Sequence, residues 1–303
     1  MTKDHFIAQT YLKHWCDPGK KPPLQAYRKS NLKPFRCSPR NVCHEWDGDL
    51  IREYFTDPAL LGKFRKIFEP PWKRIVERID AGIVNAEDKL VLSAAWAHFV
   101  LCLPAQRAIT KDIYANEARA LAPKLVEGHR LDPASLNIEI EREADFFKRL
   151  ATKHLSRGTW ILYNQDWIIQ RNETQTPFIT SDNPSAFVPG SNPPGRLLPI
   201  SPSLCLYAKI DMRFIDGDHF DFGLPPKGSI TFLNISRRDA MEINRLIVLN
   251  ADDLVFSQYE DVGIEALVKK YQDFRPRVEH VSFPVDDGAL KGATLTVTPR
   301  RCE

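Results

Sequence analysis

The chain is 303 residues long, 43% hydrophobic and 27% charged, with a formal charge of +3. This composition excludes an intrinsically disordered or fibrous chain and allows a substantial core. So small a net charge also carries no inference of nucleic-acid binding, which depends on local basic stripes.

The opening Met1-Thr2-Lys3-Asp4-His5 has no basic segment followed by an apolar run, so no secretory signal is expected. With cysteines only at 16, 37, 43, 102, 205 and 302, free thiols in a reducing cytoplasm are the expectation. Residues 5–16 read as a short helix that places His5 and Gln9 one turn apart. The following segment, Asp17 to Pro39, is rich in proline and basic residues, and Leu24–Arg28 alternates like a short strand. After Asp57, apolar residues recur at helical spacing through Leu60, Leu61, Phe64, Ile67 and Phe68, and again through Ile75, Ile79 and Ile83. Pro70 and Pro71 separate the two helices.

Glu87 to Gln106 is apolar nearly all round, the pattern of a central buried helix, with a kink or end at Pro104. Its apolar core, Leu90 to Leu103, is shorter than a membrane span. Helices continue over residues 110–154, broken near Gly128 to Pro133. Beyond Gly158 the composition shifts toward strands. Trp160–Tyr163 and Trp167–Gln170 flank Asn164-Gln165-Asp166 like a hairpin, and strands are expected at Pro177–Thr180, Leu204–Ile210, Ser229–Leu233 and Leu254–Phe256. Ser236 reads as the N-cap of a helix running to Asn250, with Asp239 in its first turn. Segregated helices and strands, with no Gly-rich phosphate loop, predict an α+β fold. A helical region over 1–157 packs on a mostly antiparallel sheet region over 158–303, together making one composite domain.

Two stretches concentrate polar chemistry between rigid anchors: His5 to Trp15, and Thr180-Ser181-Asp182-Asn183-Pro184. Together with Leu198-Pro199-Ile200-Ser201-Pro202, Asn244 and Asp253-Leu254-Val255-Phe256-Ser257, they resemble a largely bacterial family of unknown function, DUF 4238, from about residue 4 to about 257. Ala8 stands where that pattern usually has proline. The resemblance implies no established activity, so the chemistry rests on the residues themselves.

His5 titrates near neutral pH and is the expected proton donor or acceptor, with Asp182 as its orienting or base partner. Gln9, Ser181 and Asn183 offer hydrogen bonds to substrate, and Arg28 and Arg107 offer guanidinium forks to phosphate. A structural reading stands beside each role: aspartate and asparagine before a proline also make a tight turn. Lys20, Lys21, Arg28, Lys29, Lys33, Arg36 and Arg40, interrupted by Tyr27 and Phe35, form the best local candidate for nucleic-acid contact. His14, Cys16, Cys37, Cys43 and His44 lack the spacing of a zinc knuckle, which leaves a zinc-stabilised N-terminal lobe as a third reading only. Glu45, Glu53 and Glu69 form no two-metal motif, so the sequence assigns no metal ligand, decides no metal dependence and identifies no cofactor. The resulting expectation is a cytoplasmic hydrolase of phosphodiesters in RNA or nucleotides, of the kind found among toxins and defence effectors, without membrane contact. The alternative is a non-catalytic nucleic-acid- or protein-binding module in which His5 and Asp182 are structural.

Overall fold

The polypeptide enters as a strand. In the computed structural model, which describes residues 2–51, 57–114, 145–188, 195–209, 220–285 and 288–299, β1 (Lys3–His5) leads to the short helix α1 (Gln9–Leu12) and a 3-10 turn over Lys13–Trp15. The expected helix thus starts at Gln9 rather than His5. The reason is Ala8, which sits at φ −56° and ψ 132°, an extended conformation that cannot continue a helix. Proline has nearly the same φ, so the backbone at this position already has a geometry that proline adopts. Ala8→Pro is therefore expected to raise stability by about 0.4–1 kcal/mol by restricting the unfolded chain. A urea midpoint below that of the unaltered protein would show that Ile7 cannot take the extended conformation required before proline.

Strands β2 (Leu24–Arg28), β3 (Pro34–Cys37) and β4 (His44–Trp46) follow. The helical repeats appear where their spacing places them, as α2 (Leu60–Phe68) and α3 (Trp72–Asp80) on either side of the proline pair. Helix α4 (Ala86–Leu101) begins with a capping box between Asn85 and Asp88 and is buried on nearly every side. It bends by 55° into α5 (Pro104–Tyr114) at the expected proline. Among the described residues, no single helix is long and apolar enough to cross a membrane. Residues 115–144, including the break expected near Gly128 to Pro133, lie outside the described residues.

The hairpin expected across residues 160–170 does not form. Trp160–Tyr163 instead completes α6 (Phe146–Asn164), and the first strand beyond it is β5 (Trp167–Arg171). Leu155, Thr159 and Leu162 are buried at helical spacing along this segment, and tertiary packing fixes the helix where the short apolar run alone was ambiguous. Gly158 permits the close approach to α4: a Cβ there would lie 3.1 Å from Leu101 Cδ1.

The remaining elements are β6 (Thr180–Ser181), β7 (Ala186–Val188), β8 (Gly195–Ser201), β9 (Leu204–Lys209), β10 (Ile230–Asn234), α7 (Arg237–Asn250), β11 (Leu254–Ser257), α8 (Val262–Lys270), and the hairpin of β12 (Phe274–Val285) with β13 (Gly288–Pro299). Ser236 and Asp239 form the capping box that starts α7, as the sequence indicates. The fold is α+β. A five-stranded sheet runs β10-β5-β9-β8-β7, with β10 parallel to β5 and the other neighbours antiparallel. A four-stranded antiparallel sheet runs β3-β2-β11-β6, so strands from both ends of the chain share it. A two-stranded ribbon pairs β1 with β4.

One core gathers Tyr11, Trp15, Trp72, Trp96, Phe99 and Trp167 between helices and sheets, and a second gathers Phe178, Ile179, Ile247 and Val255 under α7. Between α7 and the sheet, the buried Lys29 ammonium donates to the Val248, Ala251 and Phe274 carbonyls at 2.9, 3.0 and 2.7 Å. It caps the C-terminal end of α7, where a positive charge is favoured. Burial lowers its pKa to about 7.

Candidate functional site

The opening motif places His5 at the end of β1, opposite His44 of β4, with ring centroids 5.7 Å apart. His5 Nε2 lies 3.0 Å from the Arg40 carbonyl oxygen, to which it must donate, and Gln9 Nε2 lies 3.4 Å from Nδ1. The ring is thereby held as the neutral tautomer protonated on Nε2. Burial lowers its pKa, the bond to the Arg40 carbonyl opposes this, and the neighbouring His44, Lys3 and Arg65 add to the lowering.

Asp182 follows β6. Its Oδ1 accepts from the Asp252 amide at 2.9 Å, and its Oδ2 accepts from the amides of Asp253 and Leu254 at 2.9 and 2.8 Å. Burial pushes the carboxyl up to about 7, the neighbouring Asp252 charge adds to this, and the three amides pull the other way. Asn183 exchanges hydrogen bonds with Asn250, accepts from Gln106 Nε2 at 2.8 Å, and donates its amide to Ser181 Oγ. Ser181 and Asn183 are fully buried. Arg28 pairs with Asp253 at 3.2 Å on the same side of the molecule as this loop. Arg107 is placed elsewhere, on the His5 ribbon, paired with Glu45. By their hydrogen-bond and ion-pair partners the residues singled out in the sequence fall into two sets, His5, Gln9 and Arg107 about the β1/β4 ribbon, and Ser181, Asp182, Asn183 and Arg28 at the junction of β6, β2 and β11. Cys43, whose carbonyl accepts from the Phe6 amide and whose thiol feels the Asp182 charge, is near both. His5 and Asp182 are occupied by separate partners. The Gln106–Asn183 bond, next to Arg107 on α5, links the two groups.

The basic strip is likewise divided. Lys29 is internal, Arg28 is paired with Asp253, and Arg36 reaches the Pro22 carbonyl and Asp17.

A different set of charges converges more closely. Strand alternation puts Asp4 and Glu45, paired in register, on the face of the ribbon opposite His5 and His44. There they meet Asp49, Arg107 of α5, Lys148 of α6, and His98 and Cys102 at the α4–α5 bend, around a cavity of about 10 Å³, the space of roughly one water. Arg65 of α2 closes on Asp49 by an ion pair. Burial pushes the Asp49 carboxyl up to about 6, with Arg65 pulling it down and Asp4 pushing it up. His98, wholly buried against Phe68 and Phe99, is lowered to about 3 by burial and by the charges of Arg65 and Arg107. His98 Nδ1, Arg65 Nε and Arg107 Nε are buried without a hydrogen-bond partner, so this group retains unused polar capacity. Sequence reasoning found Arg107 and Glu45 but not the rest, because the charges come from six elements with no common spacing. Among the described residues, no group of three or more His, Cys, Asp or Glu is placed to hold a metal ion, and Cys16, Cys37, Cys43, Cys102 and Cys205 are free thiols. Glu53 lies outside the described residues.

The motifs that carry the sequence resemblance meet in space. The Tyr11 hydroxyl donates to the Pro199 carbonyl at 2.7 Å and lies 2.6 Å from Thr180 Oγ1, Trp15 Nε1 donates to the Phe178 carbonyl, and Asn244 bonds both the Ile179 amide and the Pro177 carbonyl. A family model described as "Protein of unknown function (DUF4238)" matches residues 3–261. The chain belongs to this family. No curated protein and no solved structure matches it. Seen on the fold, the signature residues of this DUF4238 chain form a buried hub that locks α1 to β6, β8 and α7. The charged cavity lies beside β1 and β4, also within the matched residues.

Proposed function

We propose that this DUF4238 protein hydrolyses a phosphodiester of RNA or a nucleotide at the charged cluster between β1, β4, α5 and α6. The cluster admits the phosphate once Glu45 yields the Arg107 fork, since the closed cavity of about 10 Å³ has room for a water alone. The observation that supports this reading is Asp49. A carboxyl pushed up to about 6 by burial changes protonation near neutral pH, and it stands among two guanidiniums and an ammonium. In this reading Asp49 takes the proton of the water whose oxygen bonds phosphorus, and returns that proton to the leaving oxygen as the phosphorus–oxygen bond to it breaks. Arg107 exchanges the Glu45 carboxylate for a phosphate oxygen pair, an exchange of one anion for another on the same fork. Lys148 adds charge to the developing pentacoordinate phosphorus. His5 and Asp182, given proton-transfer roles from sequence, then serve the framework: His5 holds the ribbon that carries Asp4 and Glu45, and Asp182 holds the start of β11.

A second reading, a non-catalytic binding module, is favoured by one specific observation. The cations around the cavity are already paired, Arg107 with Glu45, Arg65 with Asp49 and Lys148 with Asp145. The test compares the unaltered protein with Asp49→Asn and Arg107→Gln on labelled single-stranded RNA and cyclic dinucleotides, alongside thermal melting. The hydrolase reading expects cleavage by the unaltered protein and a loss of about 100-fold or more in Asp49→Asn at nearly unchanged melting, since asparagine mimics the protonated carboxyl. Absence of cleavage across the panel, or full activity in Asp49→Asn, leaves the binding reading standing.

A further inference from the structure

A second concavity lies between α7 and α8, and it shares no lining residue with the charged cavity. Its volume is about 820 Å³, within the range of sites that hold a ligand or a short segment of chain. Helix α7 buries Ala240, Ile243 and Ile247 inward, which turns Arg238, Met241 and Arg245 outward along the groove at helical spacing. From α8, Leu267, Lys270 and Tyr271 face the same space. Met241 is 55% exposed, a large apolar side chain left uncovered, and methionine adapts its shape to varied partners.

Four basic side chains, Arg237, Arg238, Arg245 and Lys270, line the groove against two acids, Asp239 and Glu242. Both acids are already engaged, Asp239 in the capping box with Ser236 and Glu242 in a two-bond pair with Arg245. These bonds lower the pKa values of both acids, and Arg238 stands near enough to add to the lowering. Lys270 sits over the Tyr271 ring at 5.3 Å. With four bases against two acids the groove keeps an excess of positive charge, with Arg238 and Lys270 on its opposite walls. The first wall lies within the residues matched by the family model and the second, α8, follows them, so the model covers only one side of the groove.

We propose that this groove docks a short acidic segment of a protein partner, with one large apolar side chain seated on Met241, Leu267 and Tyr271 and flanking carboxylates meeting Arg238 and Lys270. A nucleic-acid backbone fits less well. It offers no side chain to cover Met241 and Leu267.

The experiment selects random dodecapeptides by phage display against the full chain. The dominant sequence is then titrated as a labelled peptide against the unaltered protein, the double variant Arg238→Glu/Lys270→Glu, and Met241→Asp. The altered side chains are at the surface, so melting is expected to stay within a few degrees, which separates lost docking from lost folding. Selected peptides are expected to be enriched in Asp and Glu around one large apolar residue, and each variant is expected to weaken binding by roughly tenfold or more. Selection of nothing, selection without acidic enrichment, or undiminished binding by the variants overturns the proposal. A decanucleotide RNA that displaces the peptide and is itself lost in the double variant would make the groove a nucleic-acid surface and overturn it equally.

Discussion

Replacing Asp182 by alanine is expected to cost about 3–5 kcal/mol of folding free energy, one of the two largest single-site effects anticipated in this protein. Three consecutive amides, of Asp252, Asp253 and Leu254, donate to its two oxygens where β11 begins, and all three would lose their acceptor within a buried junction. The loss would spread to the neighbouring partners, because Asp253 also holds Arg28 and the Ser30 amide. Asp182→Asn is expected to lie close to alanine, since an amide nitrogen would then face at least one backbone donor. Urea denaturation with intrinsic fluorescence reads the effect. An Asp182→Ala midpoint within about 1 kcal/mol of the unaltered protein would sink this account and return Asp182 to the list of groups free for chemistry.

The second large effect is a dependence on acid. His98 is lowered from 6.5 to about 3 in the folded protein, so folding favours its neutral form. Its contribution is complete above pH 6.5 and is lost as the pH falls through about 3, because protons bind the unfolded chain first. Over that span the loss is on the order of 4 kcal/mol. Asp49, across the same cavity, has the opposite sign. Its carboxyl is raised from 3.8 to about 6, so its contribution is present below pH 3.8 and is lost as the pH rises through 6. Between pH 6 and 4 the two largely offset each other, and below pH 4 His98 acts alone. His98→Leu, which fills nearly the same volume without titrating, is expected to remove the steep acid limb. Stability measured from pH 7 to 3 should then show the gap between the two proteins shifting in favour of leucine as acid is added. A gap that stays constant with pH would mean that the His98 ring finds a proton acceptor on folding.

Much of the framework was legible because it obeys simple periods. The proline pair between α2 and α3, the bend at Pro104, and the Ser236–Asp239 capping box are local rules written in adjacent residues, and each is found where expected. The failure at Trp160–Tyr163 is equally instructive. A run of four apolar residues fits either a strand or the last turn of a buried helix, and the decision belonged to α4, whose Leu101 and Ala97 meet Gly158. The signature stretches were legible as constrained, but the constraint proves to be a hub of hydrogen bonds centred on Tyr11, Asp182 and Asn244. The charged cavity was illegible for a different reason. Asp4, Asp49, Arg65 and Lys148 become neighbours only through tertiary packing, and no spacing in the sequence brings them to one place.

The pairing of β2 with β11 bears on how the chain is made. Arg28 and Asp253, joined across these strands, are 225 residues apart. A ribosome that has released β2 and β3 must therefore add most of the remaining sequence before the central strand of that sheet gains its second neighbour. Until then the long edge of β2, with Leu24 and Ala26, stays open to pairing with other chains. The ammonium of Lys29 likewise waits for Val248, Ala251 and Phe274. Truncation before β11 is thus expected to leave β2 paired with β3 alone and one of its edges open, and the last fifth of the chain to act as the latch that closes the first.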